Sequence, residues 1–328
     1  VGRYDPLTAM WMRDAVLRDD LPTLRQLSRD PRYFPYRYGQ AFWAWYAGVF
    51  GDAAVERVYR TALRQGWEQA LRTTTGRSAD SLSAAWHRDV RAQYQPLLAG
   101  RSAPDSTGAR IVRGDPENAE ANVSPVVSPD GRYLAYFSSA DLFGYSLFIA
   151  DARTGQRIKK LSNLNRDPHF EAISFISSAG SWSPDSRQFA FVVFAEGDEE
   201  INIFDVERGD VVRRVQLTGV GSISDPAWSP DGTRIVVSGN AGGVSDLYMV
   251  DLASGDAQQL TTGRAAELQP QWSPDGRTIA YATDQGPGYD PAQLTFGEMR
   301  IALLDVATGQ SRVLPGLGAG RHHNPHFS

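Results

Sequence analysis

Few residues in this chain are of types that do chemistry. Its 328 residues include five histidines, 38 acidic residues and no cysteine. The lack of cysteine excludes disulfides and thiolate chemistry. The histidines are His87, His169, His322, His323 and His326, and none lies in a His-Glu-x-x-His arrangement. His322-His323-x-x-His326 has the density of a metal site. Its place in the repeat described below makes it loop and first strand instead, because His326 aligns with Ala227 and Gln271. No Gly-x-Ser-x-Gly nucleophile elbow occurs.

Three segments mix acids with aromatic or apolar residues. Asp167, His169, Phe170 and Glu171 lie within 163–177, and Tyr289, Asp290 and Phe296 within 284–297. Asp198, Glu199 and Glu200 form an acidic run. Such groups suit a cation or a basic peptide. The competing reading is solvated loop charge, with aromatics folded over strand edges.

The segments are placed by a repeat. Ser-Pro-Asp followed by Gly or Ser recurs at 128–131, 183–186, 229–232 and 273–276. Each copy is answered by Asp-x-x-x-Gly, at 151–155, 205–209, 251–255 and 305–309. Two fixed turns per unit, with short β-branched and aromatic runs between them, describe a four-stranded propeller blade. In Ser-Pro-Asp-Gly, proline presets φ, aspartate bonds the local backbone and glycine tolerates positive φ. Asp130, Asp185, Asp231 and Asp275 are therefore turn residues rather than metal ligands. Trp182, Trp228 and Trp272 recur at one blade position and pack between blades. Ser186 replaces the turn glycine; if its φ is positive it carries about 1 kcal/mol of strain, and the expectation is a locally relaxed turn. Residues 324–328 match the start of a fifth unit, and 109–112 match a lone outer strand. The expected ring is incomplete, and both ends are expected to be cut from a longer protein.

These residues, with their Trp-Ser-Pro-Asp-Gly core, resemble the WD-like repeats of TolB-type propellers. The likeness covers 109–328 and implies an extracytoplasmic (periplasmic or secreted) bacterial protein, and a protein or peptide partner, such as an envelope component.

Residues 1–98 read as all helical. Asp5-Pro6 opens a helix, Pro22 starts a short one, and 33–38 is an aromatic connector. Residues 38–50 are apolar nearly all round, as in a buried helix. Leu82, Trp86, Val90 and Tyr94 form one helical stripe. Residues 99–108 are small and polar, a linker. Tyr38-Gly39, Tyr46, Gly51-Asp52, Thr75-Gly76-Arg77-Ser78 and Trp86 resemble the C-terminal helical subdomain of gluzincin (peptidase MA-like) metallopeptidases. That likeness implies a zinc hydrolase whose ligands precede Val1, with no cofactor in this fragment and no catalysis by it. Tyr36, Arg37 and Tyr38 could assist an oxyanion; packing at the start of a helix is the plainer reading.

Net charge is −5 without a basic block, which gives no basis for nucleic-acid binding. The longest apolar run, 41–50, is half of the about 20 residues a membrane span needs. The expected architecture is thus a helical subdomain (1–98), a linker (99–108) and an all-β propeller (109–328) of four blades plus the start of a fifth. Strand alternation puts both repeat turns on one face of each blade. The segments 163–177, 195–200, 239–245 and 284–297 fall on the other, the expected recognition face. Three functions remain open on the residues: a partner-binding module beside a peptidase domain, the gating propeller of a prolyl-oligopeptidase-type serine peptidase, and a TolB-like envelope scaffold.

Overall fold

The computed structural model describes residues 5–30, 33, 35–102, 104–114, 121–141, 144–161, 172–173, 179–195, 197–318 and 320–327. They form two compact units, one helical through Arg110 and one of β-structure from Ile111 onward.

The helical unit contains α1 (Pro6–Leu17), α2 (Leu24–Arg29), α3 (Pro35–Phe50), α4 (Asp52–Gln65), α5 (Trp67–Thr75), α6 (Ala79–Leu98) and α7 (Pro104–Thr107). Local chemistry sets the boundaries. Asp5 caps α1 by accepting the Leu7 N–H, and Thr23 and Gln26 close a capping box on α2. Gly76 ends α5 in the left-handed conformation. The stripe on α6 lies where its spacing places it: Leu82, Trp86 and Val90 are buried with Phe42 and Tyr46 of α3, Met12 of α1, Val58 of α4 and Leu71 of α5, and Tyr94 packs against them. Two expectations are corrected. Residues 35–38 are not a connector but the first turn of α3, and Arg37 there pairs with the carboxylate of Asp5. Nor is α3 buried all round: it buries Phe42 and Tyr46 while Trp43 and Val49 are exposed. Among the described residues, no helix is long and apolar enough to cross a membrane.

The β unit is four antiparallel sheets in sequence order. The first contains β1 (Asn122–Val127), β2 (Tyr133–Asp141), β3 (Gly144–Asp151) and β4 (Arg157–Leu161). The second contains β5 (Ala172–Ile173) and β6 (Ser181–Trp182), both paired to β7 (Gln188–Ala195), then β8 (Asp198–Asp205) and β9 (Asp210–Gln216). The third is β10 (Ser222–Trp228), β11 (Arg234–Ala241), β12 (Val244–Asp251) and β13 (Ala257–Gln259). The fourth is β14 (Glu267–Trp272), β15 (Thr278–Thr283), β16 (Arg300–Asp305) and β17 (Ser311–Val313).

Three apolar clusters lie between successive sheets. Phe137 and Ile149 meet Phe189 and Phe191; Val192 and Ile201 meet Ile235 and Val237; Val236 and Leu247 meet Ile279 and Tyr281. Both faces of an inner blade are thus buried, which explains its near-continuous apolar runs. This is propeller packing, with burial between blades as the main stabilising term.

One repeated feature carries no local turn signal. The inner strands β1, β10 and β14 each break register around an X-Pro pair. Ser124, Asp225 and Gln269, each followed by proline, sit at φ of 53°, 52° and 56°. Asn324, before Pro325, takes the same conformation at 49°, and its N–H donates to Gln269 Oε1 at 2.9 Å. The repeat geometry therefore continues into 324–327. At the other end, residues 109–112 form no strand. Ile111 and Val112 instead pack on Leu134, Tyr136, Phe148 and Ala150, the face of the first sheet turned away from the second.

Candidate partner-docking face

Each Ser-Pro-Asp turn is a closed hydrogen-bond unit. Ser128, Ser183, Ser229 and Ser273 each donate from Oγ to the aspartate two residues on, at 2.6 Å in every copy. The same Oγ accepts a backbone N–H five residues downstream at 2.9 Å. Each aspartate also accepts the N–H two residues after it. These donors hold the carboxyls below the usual range: Asp130 falls to about 2, led by the Ser128 hydroxyl, and Asp231, Asp185 and Asp275 are lowered by the same first cause. The aspartates are thus fully engaged in the turns.

The tryptophans act between blades as well as within them. Trp182 Nε1 donates to Val126 O at 2.9 Å and Trp272 Nε1 to Ala227 O at 3.1 Å, each on the preceding blade. Trp228 Nε1 instead donates to Gly232 O in its own turn. Successive turns also touch: a Cβ on Gly232 would lie 3.4 Å from Pro184, and one on Gly276 3.9 Å from Pro230. The turn at Ser186 does not relax as expected. It keeps φ at 60°, and the hydroxyl oxygen accepts the Asp130 N–H of the preceding blade.

The Ser-Pro-Asp turns therefore line one face, and Tyr133 pairs with Asp151 so that the Asp-x-x-x-Gly turns share it. The β2–β3, β7–β8 and β11–β12 hairpins and the β15–β16 connection lie on the opposite face. Among the sequence candidates, Asp167, His169, Phe170 and Glu171 lie outside the described residues. Residues 198–200 are not loop but the start of β8, where Ala195 pairs with Asp198. Residues 239–245 are likewise mostly strand. Glu199 bridges blades: it accepts from Ser222 Oγ at 2.8 Å and from the Ile223 N–H at 2.6 Å. Glu200 is buried, takes a hydrogen bond from Asn202 at 2.8 Å and has Arg214 at 3.9 Å. Asp198 remains exposed at the hairpin end.

The connection 284–297 is the prominent feature of this face. Asp290 builds a compact turn, accepting the Ala292 and Gln293 N–H groups and bridging to Thr295. Gly297 closes the root: a Cβ there would lie 2.2 Å from Asp284 O. The turn leaves Leu294 and Phe296 at 78% and 79% exposure. Phe296 was legible as a candidate; Leu294 was not, since a lone leucine in a loop carries no signal. Tyr289 points inward, its hydroxyl buried. The described residues contain no group of three His, Cys, Asp or Glu side chains able to hold a metal.

Comparison with known proteins agrees with this fold. Residues 171–294 match the TolB β-propeller domain family. Over that span the β unit is similar to the TolB β-propeller domain. The Tol-Pal system protein TolB of Gluconobacter oxydans is 32% identical over 124 residues, which is 35% of this chain and 26% of that protein. The uncharacterized peptidase YuxL of Bacillus subtilis is 25% identical over 227 residues, 67% of this chain and 30% of YuxL. The crystal structure of TolB from Acinetobacter baumannii aligns with a TM-score of 0.48 at 21% identity, covering 73% of this chain and 60% of that one. The chain spans less than a third of the length of these two curated relatives.

Proposed function

We propose that the propeller is a protein- or peptide-binding module that engages its partner on the face carrying residues 284–297. The observation that carries this is the pair Leu294 and Phe296, presented to solvent on a turn fixed by Asp290. Exposed large apolar groups on a braced loop favour docking, because they add burial without an ordering cost. Exposed Asp198 on the same face favours a partner with a basic group beside an apolar anchor. The TolB family match and the TolB relative support a propeller used for binding, in an extracytoplasmic setting.

The test is selection of binders from a displayed random-peptide library on the purified chain. Selected peptides should lose at least tenfold in affinity on the L294S/F296S double variant while its melting temperature stays unchanged. Equal binding to both proteins refutes the docking face.

The helical unit would be the end of a gluzincin-like domain, and the propeller would present substrate or partner to it. The peptidase relative YuxL supports a link between such propellers and peptidases. Among the described residues no group of side chains fits a zinc site, and no step of this function is routed through zinc. Purified chain should not cleave casein with or without added zinc; zinc-dependent cleavage would overturn that assignment.

A further inference from the structure

Three carboxyl groups are buried along the seam between the third and fourth sheets. Asp246 on β12 is 6% exposed, Glu267 at the start of β14 is 8% exposed and Asp284, just after β15, is 4% exposed. Asp246 Oδ1 and Glu267 Oε2 have no hydrogen-bond partner among the described residues. The other contacts stitch the seam. Gln259 Nε2 donates to Asp246 Oδ2 at 3.0 Å, and Ser238 Oγ donates to the Glu267 carbonyl at 2.6 Å. Thr261 bonds the Glu267 carboxyl, and its Oγ1 accepts the Leu247 N–H at 2.9 Å. Asp284 Oδ1 accepts the Ala266 N–H at 2.7 Å.

The second sheet shows how the same position is neutralised elsewhere. Glu200 and Asp246 each stand five residues before the aspartate of Asp-x-x-x-Gly. Arg214, opposite Asn202 in the register, sits beside Glu200. Gln259, opposite Tyr248, takes the place of that arginine in the third sheet. The internal cation is therefore absent where a second and a third carboxyl have been added.

The remaining neighbours do not replace it. Tyr281 on β15 faces Glu267, Tyr248 on β12 faces Asp246, and Tyr289 faces Asp284. Arg264 acts on Tyr289. Arg300 on β16 is bound to Glu298 and to the Gly318 carbonyl. Ionising both Asp246 and Glu267 in the seam carries a desolvation cost that the hydrogen bonds from Gln259 and Thr261 do not offset.

We propose that Glu267, with Asp246 buried in the same seam between blades three and four, holds a proton there, and that losing it loosens the seam at the root of the 284–297 loop. Protonation removes the buried charge that Glu267 Oε2, without a hydrogen-bond partner among the described residues, leaves uncompensated. Burial first, then the facing Asp246 and Asp284, push Glu267 up to about 7, and burial raises Asp246 as well. The sign follows. A carboxyl whose closed-state value is raised binds its proton more tightly closed than open. The closed seam is fully favoured below the ordinary value of about 4.5 and weakens as pH rises to about 7, by up to tenfold per pH unit, then levels off. This inference does not depend on what docks at the loop.

Hydrogen exchange of the whole chain between pH 5 and 8, corrected for intrinsic rates, tests it. Protection of amides in 244–250 and 261–284 should fall through pH 5–7 and plateau above, while 189–204 in the second blade should not change. Glu267→Gln, which keeps a donor without charge, should hold the seam protected across the range. Asp225→Asn is the comparison, because Asp225, raised to about 6 by burial on β10, titrates in the same window; this variant should keep the fall. A pH-independent seam in the native chain, or a fall that persists in Glu267→Gln or vanishes in Asp225→Asn, overturns the proposal. Should Glu267→Gln not fold, Asp225→Asn decides: a fall kept in that variant supports the proposal, and a fall lost there overturns it.

Discussion

The hydroxyl oxygen of Ser186 accepts the backbone N–H of Asp130 at 3.1 Å, tying the turn of the second blade to the turn of the first. The same serine holds φ at 60°, a conformation that costs a side-chain-bearing residue about 1–2 kcal/mol. The hydrogen bond and the strain are of similar size, so the substitution of serine for glycine at this turn is close to balanced.

Two variants separate the terms. Ser186→Gly removes the strain and the acceptor together, and should change stability by less than about 1 kcal/mol. Ser186→Ala keeps the strain and leaves the Asp130 N–H without its acceptor, and should cost about 1–3 kcal/mol. Urea unfolding distinguishes them. An alanine variant as stable as the native chain means that the interblade bond contributes nothing.

The four Ser-Pro-Asp turns should make the propeller sensitive to acid. Their carboxyls lie below the ordinary range because hydroxyl and backbone donors favour the charged form. Stability from a lowered carboxyl is complete above its unfolded value of about 4 and disappears as pH falls through the folded one. For Asp130 that window is from about 4 down to about 2. Melting temperature should drop across it, and Asp130→Asn should show a shallower drop than the native chain. A slope unchanged in that variant removes Asp130 from the account.

Much of this architecture could be read before the fold was known, for a physical reason. Each blade is closed by turns that need particular residues, so Ser-Pro-Asp-Gly and Asp-x-x-x-Gly mark strand ends directly. The inner-strand bulges were hidden because a left-handed Ser124, Asp225 or Gln269 before proline follows from ring geometry rather than local preference. Residues 198–200 read as loop because charge suggests solvent, yet Glu199 accepts a cross-blade N–H and Glu200 is held by Asn202 on its own strand. The buried acids at Asp246 and Glu267 were equally hidden, since no local pattern tells a buried carboxyl from an exposed one. Phe296 was legible because an aromatic inside a Gly- and Pro-rich connection has no strand face on which to pack.

Gly180 marks a further close approach. It stands at φ of 83°, and a Cβ there would lie 2.5 Å from the Phe189 ring and 2.7 Å from Ala190 O. Gly180→Ala combines backbone strain with overpacking, and should cost about 2–4 kcal/mol. Chemical denaturation followed by the fluorescence of Trp182, which packs against Phe189, reads the loss. A cost under 1 kcal/mol means that the backbone shifts freely and the contact is not a constraint.

The helical unit makes a separate test of its own core. Tyr46 is fully buried beside Phe42 and Phe50, and its hydroxyl has no partner among the described residues. Burial raises its phenol above the ordinary value, as expected for a group held in an apolar setting. A buried hydroxyl without a partner carries its desolvation cost uncompensated, about 1–3 kcal/mol. Tyr46→Phe should therefore leave the unit as stable or raise its stability within that range, while Tyr46→Ala should cost about 3–5 kcal/mol through the cavity it opens. Because the ring packing is the same in Tyr and Phe, the first variant isolates the hydroxyl. A loss of more than 1 kcal/mol in Tyr46→Phe means that this oxygen is bonded in the folded protein, and that the α3 face bearing it is an interface rather than a closed core.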